Sequence, residues 1–90
     1  MKVLPSVISV VEVENEGHIS LLGKRVTVIC AVYIYTGILA GVNGTCIKLT
    51  DAHLVYETGK WSDKSYKDSQ KLPNDIFVQT AMIEVLFENI

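Results

Sequence analysis

The chain has 90 residues, of which 49% are hydrophobic, and its formal net charge at pH 7 is −2. This length accommodates a single domain, residues 1–90, and excludes a second hydrophobic core. The slightly acidic balance excludes a general attraction to phosphate, so any affinity for nucleic acid must come from a local cluster of cations.

The apolar content is high for so small a domain, and it predicts self-association. A short chain buries only a modest share of its surface, so part of the apolar surface is expected to lie against another copy. No apolar run reaches the roughly 18 residues of a membrane span. The N-terminus lacks the apolar core and cleavage site of a signal peptide. We therefore expect a cytoplasmic homo-oligomer that does not contact a membrane.

The first predicted element is a strand over Ser6–Glu14, "SVISVVEVE", which is rich in β-branched residues and ends in alternation. Residues 15–17 follow as a turn. The next segment, "HISLLGK", can form a single helical turn closed by Gly23. Residues 1–22 are thus expected to supply an extra N-terminal strand or a short helix.

Three longer strands follow. Lys24–Val32 alternates and is predicted to be a strand with Val26, Val28, Cys30 and Val32 on one face and Arg25, Thr27 and Ile29 on the other. Tyr33–Val42 forms a second strand, in which Gly37 and Gly41 are expected to mark bends or bulges. Asn43-Gly44 matches a type I′ hairpin turn, which needs positive φ at both positions. The third strand is predicted from about Cys46 to Glu57.

The remaining sequence alternates between polar and apolar segments. Residues 59–75, "GKWSDKSYKDSQKLPND", are largely polar and are predicted to be a long loop or an extended hairpin tip. The C-terminal "DIFVQTAMIEVLFENI" is predicted to form two short strands broken near residues 79–81. Closing such strands into a barrel hides their edges. We expect an all-β fold, a small, strongly bent, five-stranded antiparallel barrel.

No residue pattern predicts catalysis, a metal site or a cofactor. The chain lacks the usual nucleophile, phosphate-loop and zinc-protease motifs. Asp51 and His53 share a strand face and are interpreted as a solvent-facing pair near a strand end. Cys30 and Cys46 are expected to be free thiols, with one disulfide as the alternative. A non-enzymatic protein without a cofactor is therefore expected.

Several segments resemble the Sm/Sm-like (LSm) family. Its first motif is matched by "GKRVTV" (Gly23–Val28), "GILAGVN" (Gly37–Asn43) and "CIKLTDA" (Cys46–Ala52), and its second motif loosely by "IFVQTAMIEVL". The resemblance covers about residues 18–58 and 76–87. Other small curled barrels, SH3-like or tudor-like, have similar strand lengths and glycine bends and remain the alternative.

The resemblance implies a ring of about five to seven copies, in which the fourth strand of one copy pairs with the fifth strand of the next. In this chain the joint would use Ile76–Gln79 and Met82–Phe87. The segment "MIEVLFE" has apolar side chains on both faces, which independently favours a covered edge. The predicted interface residues are Ile76, Phe77, Val78, Met82, Ile83, Val85 and Phe87.

Sm-like rings hold RNA bases at the pore with an Asp–Asn turn and an Arg–Gly pair. The matching positions are Asn43 for the Asp, Cys46 for the Asn, Gln79 for the Arg and Thr80 for the Gly, and Thr45 lies in the same turn. The turn is shorter than the family's and contains no aromatic residue. These changes remove a planar cation, a base-reading amide and a stacking platform. They argue against uridine-specific binding of the family type.

The polar segment is the second candidate for binding nucleic acid. Its aromatic residues interleave with four lysines, giving the set Lys60, Trp61, Lys64, Tyr66, Lys67 and Lys71. Stacking rings and a string of ammonium groups are the generic requirements for binding single strands. The alternative is a solvated loop that keeps the assembly soluble.

The leading hypothesis is a non-catalytic, ring-forming Sm-like protein that binds RNA or single-stranded DNA with low sequence preference. A role in RNA or DNA processing would follow from such binding. The alternative is a homo-oligomeric small-barrel scaffold that binds other proteins and does not bind nucleic acid.

Overall fold

Six antiparallel strands and two 3-10 helices make up the part of the fold that the structure describes. A computed structural model describes residues 16–90, so the strand predicted over Ser6–Glu14 lies outside the described residues. The 3-10 helices cover His18–Leu21 and Thr80–Met82. The mainly-β class is confirmed, and the strands are β1 (Arg25–Cys30), β2 (Ile34–Val42), β3 (Cys46–Glu57), β4 (Asp68–Lys71), β5 (Ile76–Gln79) and β6 (Ile83–Glu88).

All six strands belong to one sheet in the order β4-β3-β2-β1-β6, and β5 pairs with the first part of β3. The long β3 therefore pairs with two strands along this edge, β5 at its start and β4 at its end. Within residues 16–90 the sheet is not closed, because β5 pairs only with β3 and β6 only with β1. Across residues 16–90 the strands form an open six-stranded sheet, which differs from the expected closed five-stranded barrel. The additional strand, β4, lies in the segment predicted as a loop or hairpin tip and pairs with β3.

Both predicted bends of β2 are observed. The register between β2 and β3 shifts next to Gly37 and again next to Gly41. A Cβ added at Gly37 would lie 2.9 Å from the Thr50 carbonyl oxygen and 3.2 Å from Leu49 Cβ. The two strands can therefore approach this closely only where β2 carries no side chain. Asp51, in β3 at this crossing, has a φ of +47°.

The turn between β2 and β3 is not the predicted type I′ turn. Neither Asn43 nor Gly44 has a positive φ. Instead, Asn43 Oδ1 accepts hydrogen bonds from the backbone N–H of Thr45 at 2.8 Å and of Cys46 at 2.9 Å. Three residues separate the strands rather than two. The asparagine side chain therefore closes the turn without left-handed backbone.

Helix is confined to short segments in the described part of the chain. The predicted turn at His18–Leu21 is present as a 3-10 helix. Gly23 follows it with a φ of +84° and donates its N–H to the Leu39 carbonyl at 2.8 Å, which ties the helix to β2. Between residues 16 and 90, no helix has both the length and the apolar character needed to cross a membrane.

One face of the sheet forms the hydrophobic core. It buries the inward-pointing residues Val26, Val28, Leu39, Ile47, Leu49, Ala52 and Val78. Val26 and Val28, which are predicted to share a strand face, both lie in this core. The prediction that the strand continues to Val32 is wrong, because β1 ends at Cys30 and the Val32 side chain is exposed.

The opposite face of the sheet is also covered at its centre, since Thr27 and Thr36 are buried. Thr27 Oγ1 donates to Asn89 Oδ1 at 2.6 Å, so the Tyr66 hydroxyl is the donor in its own bond to Thr27. Asn89 Nδ2 donates to Thr36 Oγ1 at 3.0 Å, which in turn donates to the Val26 carbonyl at 2.8 Å. Tyr66 and Asn89 therefore lie across the sheet and satisfy the hydroxyls beneath them.

Candidate functional site

The structure brings together the residues predicted for the pore turns, which we name the turn cluster: Asn43, Thr45, Cys46, Gln79 and Thr80. Cys46 and Gln79 lie directly opposite each other in the β3–β5 pair. The Thr80 N–H donates to the Thr45 carbonyl at 2.9 Å. Their proximity is thus observed, while their role in binding stays a prediction.

The hydrogen bonds of the turn cluster limit what it can offer a ligand. Asn43 Oδ1 accepts from two backbone N–H groups and from Thr45 Oγ1 at 3.1 Å, so its acceptor capacity is used inside the turn. Gln79 is exposed, and its amide forms no side-chain hydrogen bond with the other described residues. The amide group of the cluster that remains open to a base edge is therefore Gln79.

The polar segment contributes a second set, the loop cluster: Lys60, Trp61, Lys64, Tyr66, Lys67 and Lys71. Lys67 Nζ lies 3.4 Å from a carboxylate oxygen of Glu57, and Lys71 Nζ lies 3.3 Å from one of Asp51. Within the described range 16–90, Lys60 and Lys64 form no ion pair. The uncompensated positive charge of the loop cluster is therefore concentrated at these two residues.

The two aromatic residues of the loop cluster have different roles, although their sequence positions suggested the same one. Tyr66 is half-buried, and its hydroxyl binds Thr27 under the loop. Trp61 packs edge-to-face on Phe87, with ring centroids 5.8 Å apart, and on Tyr66 at 6.3 Å. It is still 52% exposed. Tyr66 anchors the loop, and Trp61 keeps ring surface available for stacking.

Beside the loop lies a polar groove of about 170 Å³. It follows a polar row across four strands, because Thr27 pairs with Thr36, Thr36 with His53, and His53 with Lys71. The groove has no signal in the sequence, because its residues become neighbours only through the register of the paired strands. Its lining residues are Arg25, Thr36, His53, Lys64, Ser65, Tyr66, Ser69 and Asn89.

Asp51 lies at the border of the polar groove and binds several cationic groups. Its carboxylate accepts a hydrogen bond from the Arg25 guanidinium and pairs with Lys71. Hydrogen bonds from Arg25 and Lys71 lower the pKa of Asp51 below its ordinary value. His53 Nε2 lies 3.7 Å from Asp51 Oδ1, and the two residues lie in the middle of β3 rather than near a strand end as expected. One carboxylate is thus shared by more cations than it can neutralise.

An apolar cleft of about 570 Å³ lies beside the outer edge of β5. Cys30 is one of its residues; both cysteines are free thiols, as predicted. Burial, together with the nearby Glu84 carboxylate, raises the pKa of the Cys30 thiol, which lowers its reactivity. The cleft is lined by Cys30, Val32, Tyr33, Tyr35, Leu54, Leu72, Ile76, Phe77, Val78, Gln79 and Met82.

The predicted interface residues fall into three groups. Phe77, Met82 and Val85 are exposed, the first at 63% and the second at 54%. Half-buried positions are Ile76, Ile83 and Phe87. Val78 lies in the core, so only its backbone is accessible to a partner.

Comparison of the chain with protein-family models, with curated proteins and with solved structures finds no match. The resemblance to the Sm/Sm-like family therefore depends on the motif residues alone. Any function for the chain has to be argued from the geometry of the turn cluster, the loop cluster, the polar groove and the apolar cleft.

Proposed function

We propose that this chain is a non-catalytic, self-assembling Sm-like protein that binds RNA or single-stranded DNA with low sequence preference. The observation that carries the proposal is that, among residues 16–90, the outer edges of β5 and β6 have no partner strand and lie next to exposed apolar side chains. Such edges are aggregation sites unless another strand covers them. A second copy supplies the missing strand, and repeating the contact around an axis gives a ring.

The apolar surface near these edges supports assembly. Phe77 and Met82 are largely exposed beside β5, and Val85 is exposed on β6. The open cleft beside β5 is mostly apolar in its lining residues. Burying such surface against a neighbour contributes about 25 cal/mol per Å². Pairing β6 of one copy with β5 of the next would satisfy edge hydrogen bonds and cover this surface at once.

The order of elements supports the Sm-like part of the proposal. A short helix precedes the described strands, β2 follows β1 and carries two register shifts, and a 3-10 turn at Thr80–Met82 separates the last two strands. The same turn packs against the β2–β3 turn. In a ring, these two turns would face the central opening and repeat once per copy.

Binding of nucleic acid is supported by the exposed part of the loop cluster. Lys60 and Lys64 supply uncompensated positive charge, and Trp61 has free ring surface. Each copy contributes a weak contact, and a ring multiplies these contacts into useful avidity. Low sequence preference follows because stacking and phosphate contacts do not distinguish bases. The turn cluster contains neither the cation nor the base-contacting asparagine that would recognise one particular base.

The direct test is a fluorescence anisotropy titration with labelled oligo-U, oligo-A and single-stranded DNA of equal length. The proposal predicts similar affinities for all three, and affinity that falls steeply as salt concentration rises. A Trp61→Ala, Lys64→Ala double variant should bind more weakly. Absence of binding to every oligonucleotide at low salt would contradict the proposal.

A second function, a scaffold that binds another protein, is favoured by one specific observation. The apolar cleft beside β5 joins a free strand edge to a hydrophobic surface, which is the arrangement used for adding a peptide strand. Under this alternative the cleft is occupied by a segment of a different protein. A protein that binds no oligonucleotide, and in which Phe77→Ala abolishes binding of an extended apolar peptide, would favour it over the leading proposal.

A further inference from the structure

The polar groove collects side chains from separate parts of the chain. Arg25 lies on β1, His53 on β3 and Ser69 on β4, while Lys64 belongs to the loop and Asn89 follows β6. Its volume of about 170 Å³ corresponds to about six water molecules at about 30 Å³ each. A phosphate group that keeps part of its hydration therefore fits the groove.

The charged groups around the groove leave an excess of positive charge. Among the lining residues that the structure describes, Arg25 and Lys64 are cations and none is a carboxylate. The neighbouring Asp51 is shared between Arg25, Lys71 and His53. A guanidinium has five N–H donors, so Arg25 keeps donors free while it holds Asp51. An anion entering the groove would thus meet net positive charge.

The neutral groups of the groove also match a phosphate. Ser65 and Ser69 are exposed, and their hydroxyls have no hydrogen-bond partner elsewhere in the described chain. Unprotonated phosphate oxygens only accept hydrogen bonds, and hydroxyl, ammonium and guanidinium groups can all donate to them. The same residue types make most of the backbone contacts in protein–nucleic acid complexes.

Trp61 provides the reason to prefer a polynucleotide over a free anion. Its ring lies 6.3 Å from that of Tyr66, which itself lines the groove, and about half of its surface is exposed. A base stacked on Trp61 would belong to a strand whose phosphates pass next to Lys64. Stacking and phosphate contacts would then come from one continuous surface.

From this arrangement we infer that the polar groove binds a backbone phosphate of single-stranded nucleic acid, with Lys64 and Arg25 as its cations. The inference rests on the proposed function, and it places the backbone contact on the face of the sheet rather than at the turn cluster. It adds Arg25, His53 and Ser69 to the residues that contact the ligand.

Two matched pairs of variants test the inference in anisotropy titrations with labelled oligo-U and oligo-dT. Ser69→Glu places a carboxylate in the groove, and Gln70→Glu places the same charge on the next residue of β4, whose side chain points to the other face. Ser69→Glu should weaken binding about tenfold or more, and Gln70→Glu by about twofold or less. Gln70→Glu also keeps an oxygen to accept the bond from the Tyr56 hydroxyl.

The second pair measures the number of phosphates contacted. Lys64→Gln should lower the slope of log affinity against log salt concentration by about 0.7, the value for one phosphate contact on a single strand. Lys24→Gln removes the same charge from a residue outside the groove that pairs with Glu88. It should leave the slope unchanged. Circular dichroism of each variant verifies that the fold is retained.

The outcomes separate the inference from the proposed function. If wild-type protein binds oligonucleotides and Ser69→Glu weakens binding no more than Gln70→Glu does, the groove is overturned and the proposed function stands, with Lys64 acting from the loop cluster alone. If no oligonucleotide binds, both fail. The last outcome is that inorganic phosphate shifts the NMR signals of the Ser65 and Ser69 amides while no oligonucleotide binds. The groove would then be a site for a free anion, and the inference that it binds a polynucleotide would be overturned.

Discussion

The hydrogen-bonded hydroxyls under the loop make a quantitative prediction about stability. Thr27→Val removes a buried hydroxyl that has two partners, so it leaves the Tyr66 hydroxyl without its acceptor and Asn89 Oδ1 without its donor. Each polar group left unsatisfied costs about 1–3 kcal/mol, and both partners are partly buried. We expect a loss of about 2–3 kcal/mol. Tyr66→Phe removes only one of these bonds and should cost about 1 kcal/mol.

Urea denaturation at one fixed protein concentration measures these changes, since an oligomer's stability depends on concentration. For a domain of this size, 1 kcal/mol corresponds to about 4–8 °C in melting temperature. Because the chain has one tryptophan and it packs on Tyr66, its fluorescence should also change in Tyr66→Phe. Thr50→Val, at a half-buried position of β3, is the control and should be nearly neutral.

The decisive comparison is between the Thr27→Val, Tyr66→Phe double variant and the two single variants. Thr27→Val and Tyr66→Phe remove the same hydrogen bond, so their combined cost should fall short of the sum by about 1 kcal/mol. Strictly additive costs, or a Thr27→Val variant as stable as wild type, would refute the idea that Tyr66 holds the loop on the sheet.

Two further predictions concern other parts of the fold. Gly37→Ala should lower the free energy of unfolding by about 1–3 kcal/mol, because the added Cβ would collide with the backbone of β3. Gly41→Ala is the control: its added Cβ meets its nearest atom only at 3.7 Å, so the variant should be nearly neutral in the same urea experiment. Equal losses for the two variants would contradict the close approach of β2 and β3 at Gly37. Arg25 and Lys71 lower the pKa of Asp51 in the folded protein. Ionised Asp51 therefore stabilises the fold at any pH above its unfolded-state pKa of about 3.9. This stabilisation is lost as the pH falls through the lower pKa of the folded state. The stability advantage of wild type over Asp51→Asn should therefore persist from pH 7 to about pH 5 and disappear in strong acid, and an advantage independent of pH would contradict the ion pairs.

The strands with regular alternation were predictable from sequence because burial follows a period of two. Val26 and Val28 point into the core, and Gly37 and Gly41 mark the irregular positions of β2. By contrast, β4 has the sequence "DSQK", and all four residues are exposed. It is a strand because its backbone pairs with β3, and its side chains carry no signal of that pairing.

The polar groove could not be predicted because it depends on contacts that are distant in sequence. Thr27 alternates with buried valines and would be solvated if the loop did not fold back onto it. Its burial depends on Tyr66 and Asn89, which are 39 and 62 positions away. The turn cluster, in contrast, was anticipated, because the motif resemblance supplied a pairing that local patterns do not contain.

The central claim is that copies of this chain complete each other's open strand edges at β5 and β6. Light scattering coupled to size-exclusion chromatography tests this most directly, because the chain has a mass of 10.0 kDa. The account predicts one species whose mass is a several-fold multiple of that value and persists on dilution, and which Val85→Lys shifts toward smaller species. A wild-type protein that elutes as a well-behaved 10.0 kDa monomer at all concentrations would contradict it.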